Sequence, residues 1–138
     1  MAKLFNLEIS TPYRLFFTGQ AEAIVVSLVD GEIGIYADHA FIAAPVVTGI
    51  LKIKDKSGTW KTVFTTEGLL EVSGHRTLLL VDAAEWPEEI DQERALAAKQ
   101  RAEEQIRGGA SAFELENIQA SLKRAETRLK AYGMRAGG

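Results

Sequence analysis

Cysteine is absent from this chain of 138 residues. That excludes a disulfide framework and cysteine-based zinc sites, and it fits a reducing compartment. Long apolar runs are missing as well. The longest, residues 21–29 and 77–81, are strand-sized, far short of the roughly 20 residues needed to span a bilayer. The opening Met1-Ala2-Lys3-Leu4-Phe5 has no charged region, long apolar region or cleavage site of a signal peptide. Nor does it have the Arg- and Ser-rich, acid-poor character of a transit sequence. The expectation is a cytoplasmic chain that meets a membrane only through partners. An excess of basic charge is lacking too. The net charge is −3, without the basic footprint that nucleic-acid binding requires.

Motifs of catalysis are equally scarce. No serine stands in a nucleophile elbow, the carboxylates are dispersed, and the two histidines, His39 and His75, are far apart in sequence. His39 has acidic neighbours but no second histidine at ligand spacing, so a structural role is expected for it. An enzyme is not the expected reading.

What the sequence does contain is two halves of different period. Leu4, Asn6, Glu8 and Ser10 alternate with Phe5, Leu7 and Ile9, the period of two of a half-buried strand. Further β-rich runs lie at residues 24–26, 51–53, 62–66, 69–72 and 77–81. They are separated by turn signals at Thr11-Pro12, Asp30-Gly31, Lys56-Ser57-Gly58 and Ser73-Gly74. Short strands at such intervals, with no helical pattern between them, predict an antiparallel β-sandwich or barrel over residues 1–84. Gly31 and Gly34, three apart, are expected to hold positive-φ positions in a tight turn.

The pattern changes at Glu85-Trp86-Pro87, a linker because the residue before proline is driven from helical dihedrals. Asp91 then caps a helix that stops at Gly108-Gly109. Ser111-Ala112-Phe113-Glu114 is a capping box for a second helix, which ends near Gly133. Leu115, Ile118, Leu122, Ala125, Leu129 and Tyr132 fill heptad a and d positions. Ala95, Ala98 and Ala102 face them from the first helix, with Gln105 and Ile106 beyond. The short turn predicts an antiparallel two-helix hairpin over residues 85–138, so the fold class is α+β. Alanines bury little area at about 25 cal/mol per Å2, so the hairpin is expected to be only marginally held. Charge divides the same segment. Residues 85–104 carry three basic and seven acidic side chains, and residues 105–138 carry six and three, which favours pairing one stretch against the other.

On that seam Arg94, Arg101 and Arg128 fall at heptad g, and Arg124 lies one turn before Arg128 at c. In an antiparallel hairpin the g columns share one edge. Counted outward from the turn, Arg94 is level with Arg124 and Arg128 to within a few residues of about 1.5 Å each. Two readings stand: a solvated basic face, or an anion site in which guanidinium forks grip phosphate while the hairpin is closed.

Gly31-Glu32-Ile33-Gly34-Ile35-Tyr36 followed by His39-Ala40 resembles the signature turn of F-type ATP synthase epsilon subunits. Gly49-Ile50-Leu51-Lys52-Ile53 and Gly68-Leu69-Leu70-Glu71-Val72 are similar to that family's next strand motifs, and Ile90-Asp91-Gln92-Glu93-Arg94-Ala95 to the start of its hairpin. Ala37 departs from the proline often found in relatives, and a somewhat looser turn is expected there. The resemblance implies a sandwich of about ten strands that binds the gamma subunit of the central stalk and the membrane ring subunits. It implies a non-catalytic rotor subunit, peripheral at the cytoplasmic face of the bacterial cell membrane. Its hairpin would rise along gamma to the alpha and beta subunits of the catalytic head and inhibit ATP hydrolysis. ATP is implied as a regulatory ligand, not a required cofactor. Carried over singly, its binding residues are Glu85, Ile90, Asp91, Arg94, Ala95, Arg101, Arg124 and Arg128, with Trp86 placed to report on the site. The alternative is a free-standing β-sandwich module whose helices dimerise or sense nucleotide.

Overall fold

The alternating stretch at the start of the chain forms β1, Phe5–Ser10, in the computed structural model, which describes residues 2–136. Phe5, Leu7 and Ile9 are buried as their period requires. Met1, Gly137 and Gly138 lie outside the described residues. The chain divides into two compact units, Met1–Glu85 and Trp86–Gly138. The division falls after Glu85 because that residue is still paired with Phe64 in a strand.

The first unit is a β-sandwich. After β1 come β2 (Leu15–Leu28), β3 (Gly31–Tyr36), β4 (Ile42–Val46), β5 (Gly49–Asp55), β6 (Trp60–Thr65), β7 (Gly68–Ser73), β8 (Arg76–Val81) and β9 (Ala84–Glu85). Among the described residues nine strands form where about ten are expected, and β2 accounts for the difference. Its first half pairs with β1, and its second half with β3 and β5. One strand thus serves both layers. The layers are β4-β7-β8-β1-β2 and β3-β2-β5-β6-β9, joined in one hydrogen-bonded path. Among the described residues all strand pairings are antiparallel except β1 with β8.

β2 changes layer at a bulge around Glu22, where the register against β5 shifts. Just past the bulge the buried parity flips, from Ala21 and Ala23 to Ile24 and Val26. The core between the layers holds Leu7, Ile9, Ile24, Ile35, Leu51, Ile53, Val63, Phe64, Leu70 and Leu79, all fully buried.

Gly31 takes the expected positive φ of 126°. Gly34 does not, because it is a ladder residue paired with Val25. The left-handed position in this region is Asp38 at φ 63°, a conformation that aspartate tolerates better than most residues. Its carboxylate accepts from Lys3 Nζ at 2.7 Å and lies 3.3 Å from His75 Nδ1. The Lys3 ammonium holds the Asp38 carboxyl below the usual carboxylate range. The turn after β3 is thereby tethered to the start of the chain and to the β7–β8 turn.

The second unit begins with a one-turn 3-10 helix, Pro87–Glu89, followed by α1 (Gln92–Arg107) and α2 (Ala112–Tyr132). Asp91 caps α1 by accepting from Arg94 N at 3.0 Å. Ser111 caps α2, accepting from Glu114 N and donating to the Glu114 carboxylate at 2.9 Å. The two helices pack against each other as a hairpin. The seam is narrower than the heptads predict. Ala95 and Ala102 are buried on α1, and Ile118, Ala125 and Ala131 on α2, while Ala98, Leu115, Leu122, Leu129 and Tyr132 are only half-buried. Two helices alone cannot enclose a full heptad face, so the larger side chains keep one flank in solvent. Among the described residues, no helix is long and apolar enough to cross a membrane.

Candidate functional site

Seven of the eight expected site residues lie in the second unit. Glu85 is in β9 of the first unit. Ile90 and Ala95 are each only 4 % exposed, so they offer little open surface. Asp91 is exposed, and one carboxylate oxygen is committed to the α1 cap. Arg94 and Arg101 are exposed on α1, whereas Arg124 and Arg128 are half-buried on α2.

The burial of Ala95 and Ala102 puts their neighbours Arg94 and Arg101 on the flank of the helix contact. α1 ends and α2 begins at equal distances from the turn, so Arg94 is level with Ala125 and within a residue of Arg124. Arg128 is level with Asp91, the N-cap just before α1. Arg101 stands about two helical turns nearer the hairpin turn. The hairpin therefore sets Arg94, Arg124 and Arg128 at nearly the same level as the start of α1, where the helix dipole adds positive potential. Such a constellation suits a multiply charged anion.

One residue the heptad argument misses is Ser121. Its hydroxyl accepts from Arg124 Nη2 at 3.1 Å and so helps orient the half-buried guanidinium. Its only signal in the sequence is the i, i+3 spacing to Arg124. Among the described residues no group of three or more histidines or carboxylates is arranged to hold a metal ion.

A second feature lies on the outer face of the sandwich. The registers align Pro45, Leu69, Leu80, Ser10 and Leu15 in one row across β4, β7, β8, β1 and β2. Leu69 and Leu80 are each 42 % exposed, and Leu15 is 58 % exposed. Single exposed leucines are ordinary, but a row crossing a whole layer is a pattern of interaction surfaces.

Residues 4–87 match the family described as the ATP synthase delta/epsilon chain, beta-sandwich domain. Residues 88–133 match the long alpha-helix domain of the same chain. The ATP synthase epsilon chain of Caldicellulosiruptor saccharolyticus is 46 % identical over 134 residues, with 97 % of both chains covered. That of Caldanaerobacter subterraneus subsp. tengcongensis is 48 % identical over 131 residues, with 94 % of both covered. Among solved structures, a chain of the Euglena gracilis mitochondrial ATP synthase (OSCP, F1 and c-ring) aligns with a TM-score of 0.81. The alignment covers 96 % of this chain and 82 % of that one, and at 18 % identity it speaks for the fold alone. With family models matching residues 4–87 and 88–133 in order, and a relative at 46 % identity covered to 97 %, the chain belongs to the ATP synthase delta/epsilon chain family.

Proposed function

We propose that this chain is the non-catalytic central-stalk subunit of an F-type ATP synthase, coupling ion flow through the membrane sector to ATP synthesis. The observation that carries this reading is the match of both domains, at 46–48 % identity, to bacterial epsilon chains. In this reading the sandwich holds the gamma subunit and the membrane ring subunits. The row Pro45, Leu69, Leu80 and Leu15 supplies the apolar surface for gamma. The helical hairpin restrains ATP hydrolysis by reaching the alpha and beta subunits of the catalytic head. Its narrow alanine seam supports that role, because a contact of such small area is easily exchanged for another.

ATP is the proposed regulatory ligand of the closed hairpin. Arg94, Arg124 and Arg128 would take the phosphates, Arg101 would extend the basic edge, and Asp91 with Ile90 and Ala95 would shape the rest. ATP would relieve repulsion among the arginines, and both helices contribute only when closed. Nucleotide therefore favours the closed form by no more than its difference in affinity between states.

The test is reconstitution with the gamma subunit and the catalytic head. The full chain is expected to co-purify with them and to lower ATP hydrolysis more than synthesis. A chain lacking residues 86–138 is expected to co-purify without restraining hydrolysis. Failure to co-purify would instead favour a free-standing module. Equal hydrolysis with the full and shortened chains would remove the regulatory role.

A further inference from the structure

α2 has 21 residues and α1 has 16. Leaving the turn together, the helices run side by side only as far as the start of α1. Residues 128–132 overhang it by about 7 Å, at 1.5 Å per residue. An overhanging helix end is expected to lie open. Ala131 is instead completely buried.

The chain that precedes α1 fills the place. The 3-10 helix Pro87–Glu89 packs against α2. Pro87 is buried, and Ile90 is nearly so. Ala136 N donates to Glu88 Oε1 at 3.4 Å. Glu89 turns back to accept from Trp86 N at 2.8 Å, which fixes the 3-10 turn. On the other side, the Arg135 guanidinium lies 4.0 Å from the centre of the Tyr132 ring and donates to the Tyr132 carbonyl at 2.9 Å. That closes the helix end. The buried column of α2 records the change of partner. It steps seven residues from Ile118 to Ala125, as a heptad should, and then six to Ala131.

We infer that residues 87–90 form a clasp on the last turn of α2, and that this clasp is the positioning element for Arg128. Arg128 stands one turn before the clasped residues and level with Asp91, beyond the last alanine pair of the seam. While the clasp holds, its guanidinium stays at the start of α1. When the clasp is released, the last turns of α2 lose their apolar cover and fray, and Arg128 leaves the basic edge. The role toward Arg128 rests on the proposed ATP reading, whereas the clasp itself does not.

The experiment uses the full chain in three variants. Ala131→Leu overfills the buried position, Pro87→Gly removes the buried ring and loosens the 3-10 turn, and Ala97→Leu is a control on the exposed face of α1. Residue-resolved amide hydrogen exchange is read alongside calorimetric titration with ATP. In both clasp variants, exchange at residues 126–132 is expected to quicken about tenfold or more, with residues 112–120 and the sandwich strands unchanged. The Kd for ATP should rise about tenfold, a loss of about 1.4 kcal/mol. The control should change neither. If Ala131→Leu does not fold, Pro87→Gly decides. Unchanged protection at residues 126–132, or an even loss along α2, overturns the clasp. Faster exchange with an unchanged Kd overturns the positioning of Arg128. If the wild-type chain binds no ATP, the nucleotide reading fails, and exchange alone still decides the clasp.

Discussion

Gly68 lies so close beneath the Leu80 carbonyl that a Cβ on Gly68 would overlap the oxygen deeply. Gly68 opens β7 opposite Val81, and Leu80 precedes Val81 on β8. The obstruction is backbone, which cannot rotate aside as a side chain would. Gly68→Ala should therefore destabilise the sandwich by about 3 kcal/mol, the upper end of the overpacking range. Because Leu69 and Leu80 belong to the exposed apolar row, the proposed gamma binding should weaken too. Urea denaturation measures the first effect and a gamma pull-down the second. A stability within about 0.5 kcal/mol of wild type would mean that the two strands part freely there.

Acid should act on the β5–β6 turn through Asp55. Its carboxylate accepts from the Ser57 hydroxyl at 2.6 Å and from the backbone N–H groups of Ser57 and Thr59. The hydroxyl first, then the Thr59 amide, hold its pKa down to about 2. A depressed carboxyl favours the folded state above its ordinary value, which is 3.8, and the favour disappears as pH falls to about 2. Asp55→Asn keeps an accepting oxygen and removes the titration. Wild type should lose more stability than this variant between pH 4 and pH 2, and carboxyl NMR should place the Asp55 midpoint near 2. Parallel acid-unfolding curves would show that the turn contributes nothing pH-dependent.

The legible parts of this fold are those governed by neighbours in sequence. β1 follows from alternation because one face is buried along its whole length. The caps Asp91 and Ser111 follow from side-chain bonds that close within three residues. The level of Arg94 with Arg124 is arithmetic once the turn is short. β2 is less legible, because the bulge at Glu22 inverts the parity that alternation relies on. β9 has two residues and exists only because β6 offers it an edge. Tyr132 is placed on the seam by its heptad, but α1 has already ended at that level, and the clasp turns Ala131 inward instead. Ser121 acts through one hydroxyl contact, which no periodic pattern encodes.

Each unit has its own buried residues, so removing residues 86–138 should leave a folded sandwich. The cut falls after β9, which preserves the Phe64–Glu85 and Thr65–Ala84 pairs. The shortened chain is expected to unfold in urea as one cooperative transition and to keep the gamma binding proposed for the full chain. A broad, non-cooperative transition or lost gamma binding would show that the sandwich depends on the hairpin.

The arginine edge makes the sharpest demand on the proposed ATP site. Arg124 and Arg128 sit one turn apart on α2, a spacing at which like charges repel by a few tenths of a kcal/mol. Bound phosphate converts that repulsion into charge-assisted contacts of about 1.5–3 kcal/mol each. Replacing both residues by alanine should thus weaken ATP binding by about 100-fold or more, allowing for contacts that do not add. Net charge alone would predict a smaller and less selective effect. A second double variant, Lys123→Ala with Lys130→Ala, removes the same charge from exposed positions of the same helix. It should leave the Kd within about threefold, since exposed charges are screened over about 8–10 Å in salt. The closed fraction of the wild-type hairpin should rise with ATP, because the stabilisation of the closed form grows as RT ln(1 + [L]/Kd), read by Trp86 fluorescence beside calorimetry. No binding up to about millimolar ATP, an affinity of about −4 kcal/mol, would leave these arginines a solvated face. Equal losses in the two double variants would reduce the site to diffuse electrostatics.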